Sequence, residues 1–182
     1  NSLMLYFQYG YIPSPNSIFE NVRKLKAGHI LEFDVKDKSP QEIQYWNPSE
    51  YYQKEKLDIS FQEATTHLEG LLKSSFEYRK VSDVPLGVFL SGGYDSSVVA
   101  AMLQSSSISR IKTFTIGFDS AQYNEAVYAK KIANYLGTDH CEYYCTERDA
   151  LDMISNIADV YDEPFGDTSA IPTLLLSKFS RE

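Results

Sequence analysis

Residues 84–97 decide the fold, and they read Val-Pro-Leu-Gly-Val-Phe-Leu-Ser-Gly-Gly-Tyr-Asp-Ser-Ser. The run from Val84 to Leu90 is short and apolar, which is typical of a buried strand. The glycines and serines that follow indicate a tight turn, and Ser96 to Leu103 is predicted to be helical. A strand, a glycine-rich turn and a helix N-terminus in this order can bind a phosphate, because the first amides of a helix point outward and carry partial positive charge.

The residue types in this loop suit a nucleotide phosphate. Gly92 and Gly93 let the backbone approach a phosphate closely, and the serines of the loop add hydroxyl donors. Asp95 repels a bare phosphate, so its presence favours Mg²⁺, which bridges a carboxylate and phosphate oxygens. The sequence lacks the Walker loop, the Gly-x-Gly-x-x-Gly fingerprint and the Gly-x-Ser-x-Gly elbow. The alternative is a turn that merely connects a strand with a helix.

Helices and strands alternate after residue 60. Ser60 and Glu63 form a capping-box signature, and Thr146 with Asp149 starts a later helix in the same way. The predicted elements are helices at 60–76, 96–103, 124–136, 146–160 and 169–179, and strands at 84–90, 111–118 and 141–145. Apolar strands separated by helices predict an α/β fold with a parallel sheet and flanking helices.

The chain before residue 60 has a different pattern. Residues 1–47 are predicted to be strand-rich, from an aromatic start to a hairpin whose strands are Ile30–Val35 and Gln41–Trp46. Residues 48–59 are polar and are predicted to be a linker. Residues 60–182 then form the α/β part of the chain.

Composition excludes several classes of function. Lys and Arg number 17 against 25 Asp and Glu, a net charge of −8, which disfavours general binding to nucleic acid or to an anionic membrane. The longest apolar runs are far shorter than the ~20 residues that span a bilayer. Cys141 and Cys145 lie too far apart along a predicted strand to pair with each other. We therefore expect a cytoplasmic protein.

The loop motif Ser-Gly-Gly-x-Asp-Ser-Ser at residues 91–97 resembles the pyrophosphate loop of the ATP pyrophosphatase (PP-loop) superfamily. The flanking sequence resembles one family of it, the glutamine-hydrolysing asparagine synthetases. The similar segments follow the family's order: 9–13, 18–19, 24–29, 84–90, 114–118, 124–126, 136–140 and 161–172. The resemblance covers nearly the whole chain and implies an adenine nucleotide alpha hydrolase-like sheet.

The resemblance implies an ATP-dependent carbon–nitrogen ligase. Such enzymes adenylate the side-chain carboxylate of aspartate, release pyrophosphate, and transfer ammonia from glutamine to give asparagine. The implied cofactors are ATP and Mg²⁺, and the implied partners are small molecules: ATP, aspartate or a related carboxylate, and glutamine-derived ammonia. We expect no nucleic acid or membrane partner, and the resemblance is compatible with a homodimer of the full-length protein.

The family's functional residues map onto this sequence by position. Asp95 would be the catalytic and metal-binding residue. Ile116 and Gly117 have a separate physical argument, because they end a strand near the carboxyl edge where open α/β sheets bind ligands. The implied ATP-binding residues are Leu90, Ser91, Gly92, Gly93, Asp95, Ser96, Ser97, Ile116 and Gly117.

Three acidic residues are candidates for substrate contact: Asp162, Glu163 and Asp167. One of them could lie near the ammonium of an amino-acid substrate or hold a second metal. The equal alternative is helix capping, since Asp167 precedes a predicted helix and Asp162 follows one.

The sequence also departs from the family pattern. It begins with Asn1 instead of a cysteine nucleophile, and it ends at Glu182 before the family's Ser-Gly-Asp-Gly-x-Asp-Glu type segment. We therefore expect an internal fragment with a truncated sheet, preceded by a β-hairpin remnant of an N-terminal-nucleophile amidotransferase domain. Two alternatives stay open: a related carboxylate-adenylating enzyme, such as a β-lactam synthetase or an amidating tailoring enzyme, and a nucleotide-binding fragment without turnover.

Overall fold

The computed structural model describes residues 2–118 and 124–181. They divide into two units. The first unit comprises the chain up to Asp58 together with Ala158–Asp167, and the second comprises Ile59–Ile157 and the chain from Thr168 onward. No helix among the described residues combines the length and the apolar character needed to cross a bilayer.

Among the described residues, the first unit contains two complete helices, an antiparallel pair of strands, and the last three residues of a short helix, Ile157–Val160. In chain order the complete elements are α1 (Ser2–Tyr9), β1 (His29–Asp34), β2 (Ser39–Gln44) and α2 (Pro48–Tyr52). His29 lies opposite Gln44, and Asp34 lies opposite Ser39. That these strands belong to an amidotransferase domain stays a prediction.

The expectation of strands at the aromatic N-terminus is wrong, because residues Ser2–Tyr9 form α1. A short apolar run does not by its periodicity distinguish a strand from a helix, and Leu3, Met4 and Gln8 are strong helix formers. The helix ends at Gly10, whose φ is +76° and whose amide donates to the Tyr6 carbonyl at 2.7 Å.

The second unit is built on a parallel sheet of three strands. After α3 (Phe61–Arg79), the chain continues with β3 (Gly87–Phe89), α4 (Tyr94–Ser105), β4 (Lys112–Phe118), α5 (Ala126–Leu136), β5 (Asp139–Cys145), α6 (Glu147–Ile154), α7 (Ile157–Val160) and α8 (Ala170–Arg181). Of α7, only Ile157 belongs to the second unit. The strand order is β3-β4-β5, and both pairings are parallel. The α/β fold with a parallel sheet and flanking helices is thus confirmed.

Local sequence signals account for the start of α3 and the end of α5. In the capping box of α3, Ser60 Oγ accepts from the Glu63 amide at 3.3 Å, and the Ser60 amide donates to Glu63 Oε2 at 2.8 Å. Gly137 ends α5 in the left-handed conformation, with φ of +72°.

The single helix predicted at 146–160 is wrong, because it is divided into α6 and α7. The Asn156 amide donates to the Met153 carbonyl at 3.0 Å. This tight bond between residues three apart turns the chain before α7 begins. The strand predicted at 84–90 is shorter than expected, since Pro85 has no amide to donate to a ladder.

Small residues bring the helices close to the sheet. Leu90, Ala100, Ala129 and Ala133 form a buried cluster, each no more than 1% exposed. The alanines belong to α4 and α5 and leave room for Leu90, the last residue before the glycine-rich turn. This buried cluster therefore lies next to the glycine-rich turn.

A buried polar cluster joins β4 to β5. Thr113 Oγ1 lies 2.8 Å from Thr138 Oγ1 and 2.9 Å from His140 Nδ1. His140 Nε2 is buried, and nothing in the described part of the chain hydrogen-bonds to it. Burial lowers the pKa of the His140 imidazole, while the charge of Glu142 acts to raise that pKa and the charge of Lys130 to lower it.

We predict that His140 lowers the free energy of unfolding in mild acid. The unfolded chain takes up the His140 proton near pH ~6.5, whereas the folded chain takes it up only at a lower pH, so the free energy of unfolding should fall as pH drops below 6.5. Urea unfolding at several pH values between 5 and 7.5 measures this slope. The range lies above the ordinary pKa values of aspartate and glutamate, about 3.9 and 4.3.

The variant His140→Leu should be less dependent on pH over this range. The matched control is His67→Leu, since His67 is exposed on α3, and this variant should keep the slope of the wild type. An unchanged slope in His140→Leu would contradict the prediction.

Candidate nucleotide site

The glycine-rich loop leaves the sheet at a fixed point. The Leu90 amide donates to the Phe114 carbonyl at 2.8 Å, which holds the end of β3 beside β4. Leu90 itself is 1% exposed. The loop of residues 91–93 follows, and α4 begins at Tyr94 with Gly93 as its N-cap.

Serine hydroxyls tie the loop to the first turn of α4. Ser91 Oγ and Ser96 Oγ lie 3.0 Å apart, and the Ser91 amide donates to Ser96 Oγ at 3.2 Å. The Gly93 amide donates to Ser91 Oγ at 3.3 Å, and Ser97 Oγ donates to the Gly93 carbonyl at 2.6 Å. Because hydroxyl protons can rotate, these serines hold the loop together and can also turn toward a phosphate.

Gly92 lets the loop pack directly on α5. Its φ is +86°, and a Cβ built on it would lie 2.9 Å from Tyr128 Cβ and 3.0 Å from the Ala129 amide nitrogen. Both the backbone conformation and the contact therefore require glycine.

The first amides of α4 are suited to bind an anion. Gly93, the N-cap, supplies no side-chain cap. The N-terminal amides of a helix have no partner within the helix, so these amides can donate to a phosphate.

Asp95 is exposed in the first turn of α4. Among residues 2–118 and 124–181, no group donates a hydrogen bond to its carboxylate. Mg²⁺ in nucleotide sites is commonly held by one or two protein carboxylates together with substrate phosphates, and Asp95 fits the protein part of that arrangement.

A cavity of about 270 Å³ opens at the carboxyl ends of β3 and β4. It brings four of the sequence-predicted residues together: Leu90, Ser91, Ser96 and Ile116. The other lining residues are Phe89, Thr115, Phe118, Glu125, Pro172 and Leu176. The sequence analysis missed these six as site residues. Pro172 and Leu176 stand four apart on α8, and this spacing places them on one face of the helix.

Gly117 faces away from this cavity. A Cβ built on it would lie 2.7 Å from the Tyr144 ring and 3.2 Å from Ala126 Cβ. Successive residues of a strand point to opposite faces, so Ile116 lines the cavity while Gly117 packs under α5. A role for Gly117 in ATP binding stays a prediction, and the contact would have to come from its backbone amide or carbonyl.

The acidic residues predicted for substrate lie in the first unit. The Lys24 ammonium forms an ion pair with the Glu163 carboxylate, and the Ile18 amide donates to Glu163 Oε1 at 2.8 Å. Burial acts to raise the pKa of Glu163, but these partners outweigh it and hold that pKa below its ordinary value. Glu163 thus has a structural role there, whereas Asp162 and Asp167 are exposed. Their contacts with substrate stay predictions.

A second cavity, of about 570 Å³, belongs to the first unit. Its walls include Tyr11, Phe19, Lys24, Asp162 and Phe165. Of the predicted substrate residues, Asp162 and Glu163 line it, and Asp167 does not.

Comparison with known proteins identifies the family. The model of the asparagine synthase family matches residues 67–182, which are more than half of the chain. The chain belongs to the asparagine synthase family. This confirms the resemblance found in the sequence.

Individual relatives agree with the family model. The putative glutamine-hydrolysing asparagine synthetase 2 of Methanocaldococcus jannaschii is 40% identical over 186 residues, which cover 100% of this chain and 35% of that protein. The glutamine-hydrolysing asparagine synthetase 1 of Bacillus subtilis is 23% identical over 181 residues, which cover 100% of this chain and 28% of that protein. The chain thus spans about a third of the length of these curated relatives.

Among solved structures, the NH3-dependent NAD synthetase from Campylobacter jejuni has a TM-score of 0.39 and 14% sequence identity. The match covers 68% of this chain and 53% of that protein.

We predict that Gly92→Ala destabilises this asparagine synthase family chain. Alanine at a φ of +86° is strained, and its Cβ would collide with Tyr128, so the free energy of unfolding should fall by about 2 kcal/mol or more. Urea unfolding measures the change.

Gly70→Ala is the matched control. Gly70 lies within α3, and a Cβ there meets nothing within 4 Å, so alanine should stabilise the helix by about 0.5–1 kcal/mol. Equal effects of the two substitutions would contradict the packing of the loop on α5.

Proposed function

We propose that the glycine-rich loop and the adjacent cavity form the ATP site of an amide-forming ligase, which adenylates the side-chain carboxylate of aspartate. The observation that supports the proposal is that the glycine-rich loop and the cavity share two residues, Ser91 and Ser96. These serines belong to the loop and also line the cavity. A nucleoside in the cavity would therefore direct its phosphates toward the loop.

In this proposal the base lies in the apolar part of the cavity. Leu90, Ile116 and Leu176 supply that surface. Backbone groups at the end of β4 can read the edge of the base, as ligands commonly bind at the carboxyl ends of parallel strands.

The loop stabilises the leaving group. A carboxylate oxygen of the substrate forms a bond to the α-phosphorus, and the bond from that phosphorus to the bridging oxygen breaks, so pyrophosphate leaves with the electron pair. Negative charge therefore increases on the pyrophosphate, where the first amides of α4 and the hydroxyls of Ser91, Ser96 and Ser97 can donate hydrogen bonds. Donors already held in place stabilise such charge more strongly than mobile water does. Mg²⁺ bound by Asp95 and the phosphate oxygens would neutralise part of the same charge.

The second step forms the amide. Ammonia attacks the carbonyl carbon of the acyl-adenylate, the bond from that carbon to the AMP oxygen breaks, and the nitrogen loses a proton. For the ammonium group of the aspartate substrate, we propose an acidic partner among Asp162, Glu163 and Asp167. Because Lys24 already neutralises the Glu163 carboxylate, Glu163 is the least suited of the three.

The names of the relatives support glutamine as the source of the ammonia. Those proteins are called glutamine-hydrolysing, so we propose that glutamine supplies ammonia in a separate amidotransferase domain. In this proposal residues 1–47 are the C-terminal part of that domain, 48–59 are a linker, and 60–182 are the first part of the synthetase domain. We further propose that the full-length protein is cytoplasmic and forms a homodimer.

We predict that Asp95→Asn weakens Mg²⁺-dependent ATP binding at least tenfold. The substitution removes the charge that would hold the metal but keeps the size of the side chain. Calorimetric titration of the chain with ATP measures this in the presence of Mg²⁺ and again with a chelator. With the chelator this loss of affinity should be absent or reversed, because the Asp95 carboxylate repels the phosphates when no metal lies between them.

The matched control is Asp83→Asn. Asp83 is exposed and precedes β3, so it lies at the strand's amino end, away from the loop. This variant should bind ATP like the wild type. Equal ATP affinity of Asp95→Asn and the wild type with Mg²⁺ would remove Asp95 from the metal site.

A further inference from the structure

Glu125 lines the cavity beside the glycine-rich loop, and neither the sequence motif nor the proposed reaction explains it. It stands immediately before α5, at the N-cap position, where a side chain would ordinarily cap the helix. Its side chain makes no cap bond. Asn124 has that role instead, since its Oδ1 accepts from the Ala126 amide at 3.1 Å.

The Glu125 carboxylate is exposed, and no donor in the described ranges, 2–118 and 124–181, hydrogen-bonds to it. Its backbone, by contrast, is fixed. The Glu125 carbonyl accepts from the amides of Tyr128 and Ala129, both at 3.0 Å. A fixed backbone that carries an uncommitted carboxylate at the cavity is suited to accept hydrogen bonds from a ligand.

The same turn of α5 supports the phosphate loop. Gly92 packs against Tyr128 and Ala129, the residues whose amides bind the Glu125 carbonyl. The loop and the carboxylate are therefore positioned by one rigid element, so a group bound by Glu125 would stand at a defined distance from the phosphates.

The chemistry of the Glu125 carboxylate indicates which part of a nucleotide it would bind. An ionised carboxylate accepts hydrogen bonds and donates none, and it repels phosphate. The hydroxyls of Ser91 and Ser96 mark the phosphate side of the cavity, and its apolar residues suit the base. The remaining part of a nucleotide is the ribose, whose two vicinal hydroxyls can both donate to one carboxylate. Acidic residues bind ribose hydroxyls in the same way in dinucleotide sites.

We propose that Glu125 binds the ribose hydroxyls of ATP and makes the site prefer ribonucleotides over 2′-deoxyribonucleotides. The inference rests on the proposed ATP site and adds a specificity-determining residue to it.

The test measures the binding of two nucleotides to the wild type and to one variant. The full 182-residue chain is titrated with ATP and with 2′-deoxyATP, both with Mg²⁺, as wild type and as Glu125→Gln. The wild type should prefer ATP. Because a hydrogen bond to a charged group contributes more than one to a neutral amide, Glu125→Gln should weaken ATP binding about tenfold. It should leave 2′-deoxyATP binding within about twofold, since one of the two donors is already absent there.

Glu147→Gln is the matched control. Glu147 is an exposed glutamate in the first turn of α6, so the variant has the same change in net charge near a helix start. It should bind both nucleotides like the wild type, which separates a direct contact from a general effect of charge.

The outcomes distinguish the two proposals. ATP binding that Glu125→Gln leaves unchanged, or weakens equally for both nucleotides, would overturn the role of Glu125 and leave the ATP site standing. A folded wild-type chain that binds neither nucleotide would overturn the ATP site, and the role of Glu125 with it.

Discussion

The packing of Gly92 against α5 is the contact on which the rest of the site depends. It places Tyr128 Cβ and the Ala129 amide nitrogen of α5 within 3.0 Å of the position that a Cβ on residue 92 would occupy. The contact requires a left-handed residue in the loop and a close approach of α5, and the buried alanines of α5 make that approach feasible. The start of α4, the serine hydroxyls and the cavity at the end of β4 are all arranged around this point.

The serine network has a related effect on the loop. Ser91 and Ser96 bond to each other and to the loop backbone, so contacts within the protein itself hold the loop in its conformation. Less ordering is then needed on binding, and less of the binding free energy is lost to it. The arrangement is suited to a leaving group whose charge develops during the reaction, because donors in place need no reorganisation at that moment.

Asp95 and Glu125 stand at the N-terminal ends of two different helices, α4 and α5. Both are acidic, exposed and near a helix N-terminus, where a negative charge is favoured. Asp95 follows the glycine-rich loop in the first turn of α4, whereas Glu125 lines the cavity and immediately precedes α5. We infer a metal contact for Asp95, because it belongs to the helix turn whose amides would bind the phosphates, and a sugar contact for Glu125, because it lines the cavity.

The sequence by itself determined the loop, the family, and the order of helices and strands after residue 60 except for the break between α6 and α7. These follow from local signals: Ser91 to Ser97 is contiguous, the capping boxes of α3 and α6 span four residues each, and Gly137 stops α5 by its own conformation. The sequence did not determine that residues 2–9 are helical or that the chain turns between α6 and α7. Short apolar runs and weak helices take their conformation from their surroundings.

Only the tertiary structure decided which residues share the site. Glu125, Pro172 and Leu176 come from elements far apart in the chain, and no spacing in the sequence relates them to Leu90. It likewise decided that Ile116 faces the cavity while its neighbour Gly117 packs under α5, and that Glu163 pairs with Lys24. These outcomes depend on how strands pair and how helices lie across them, and such packing is a property of the folded chain as a whole.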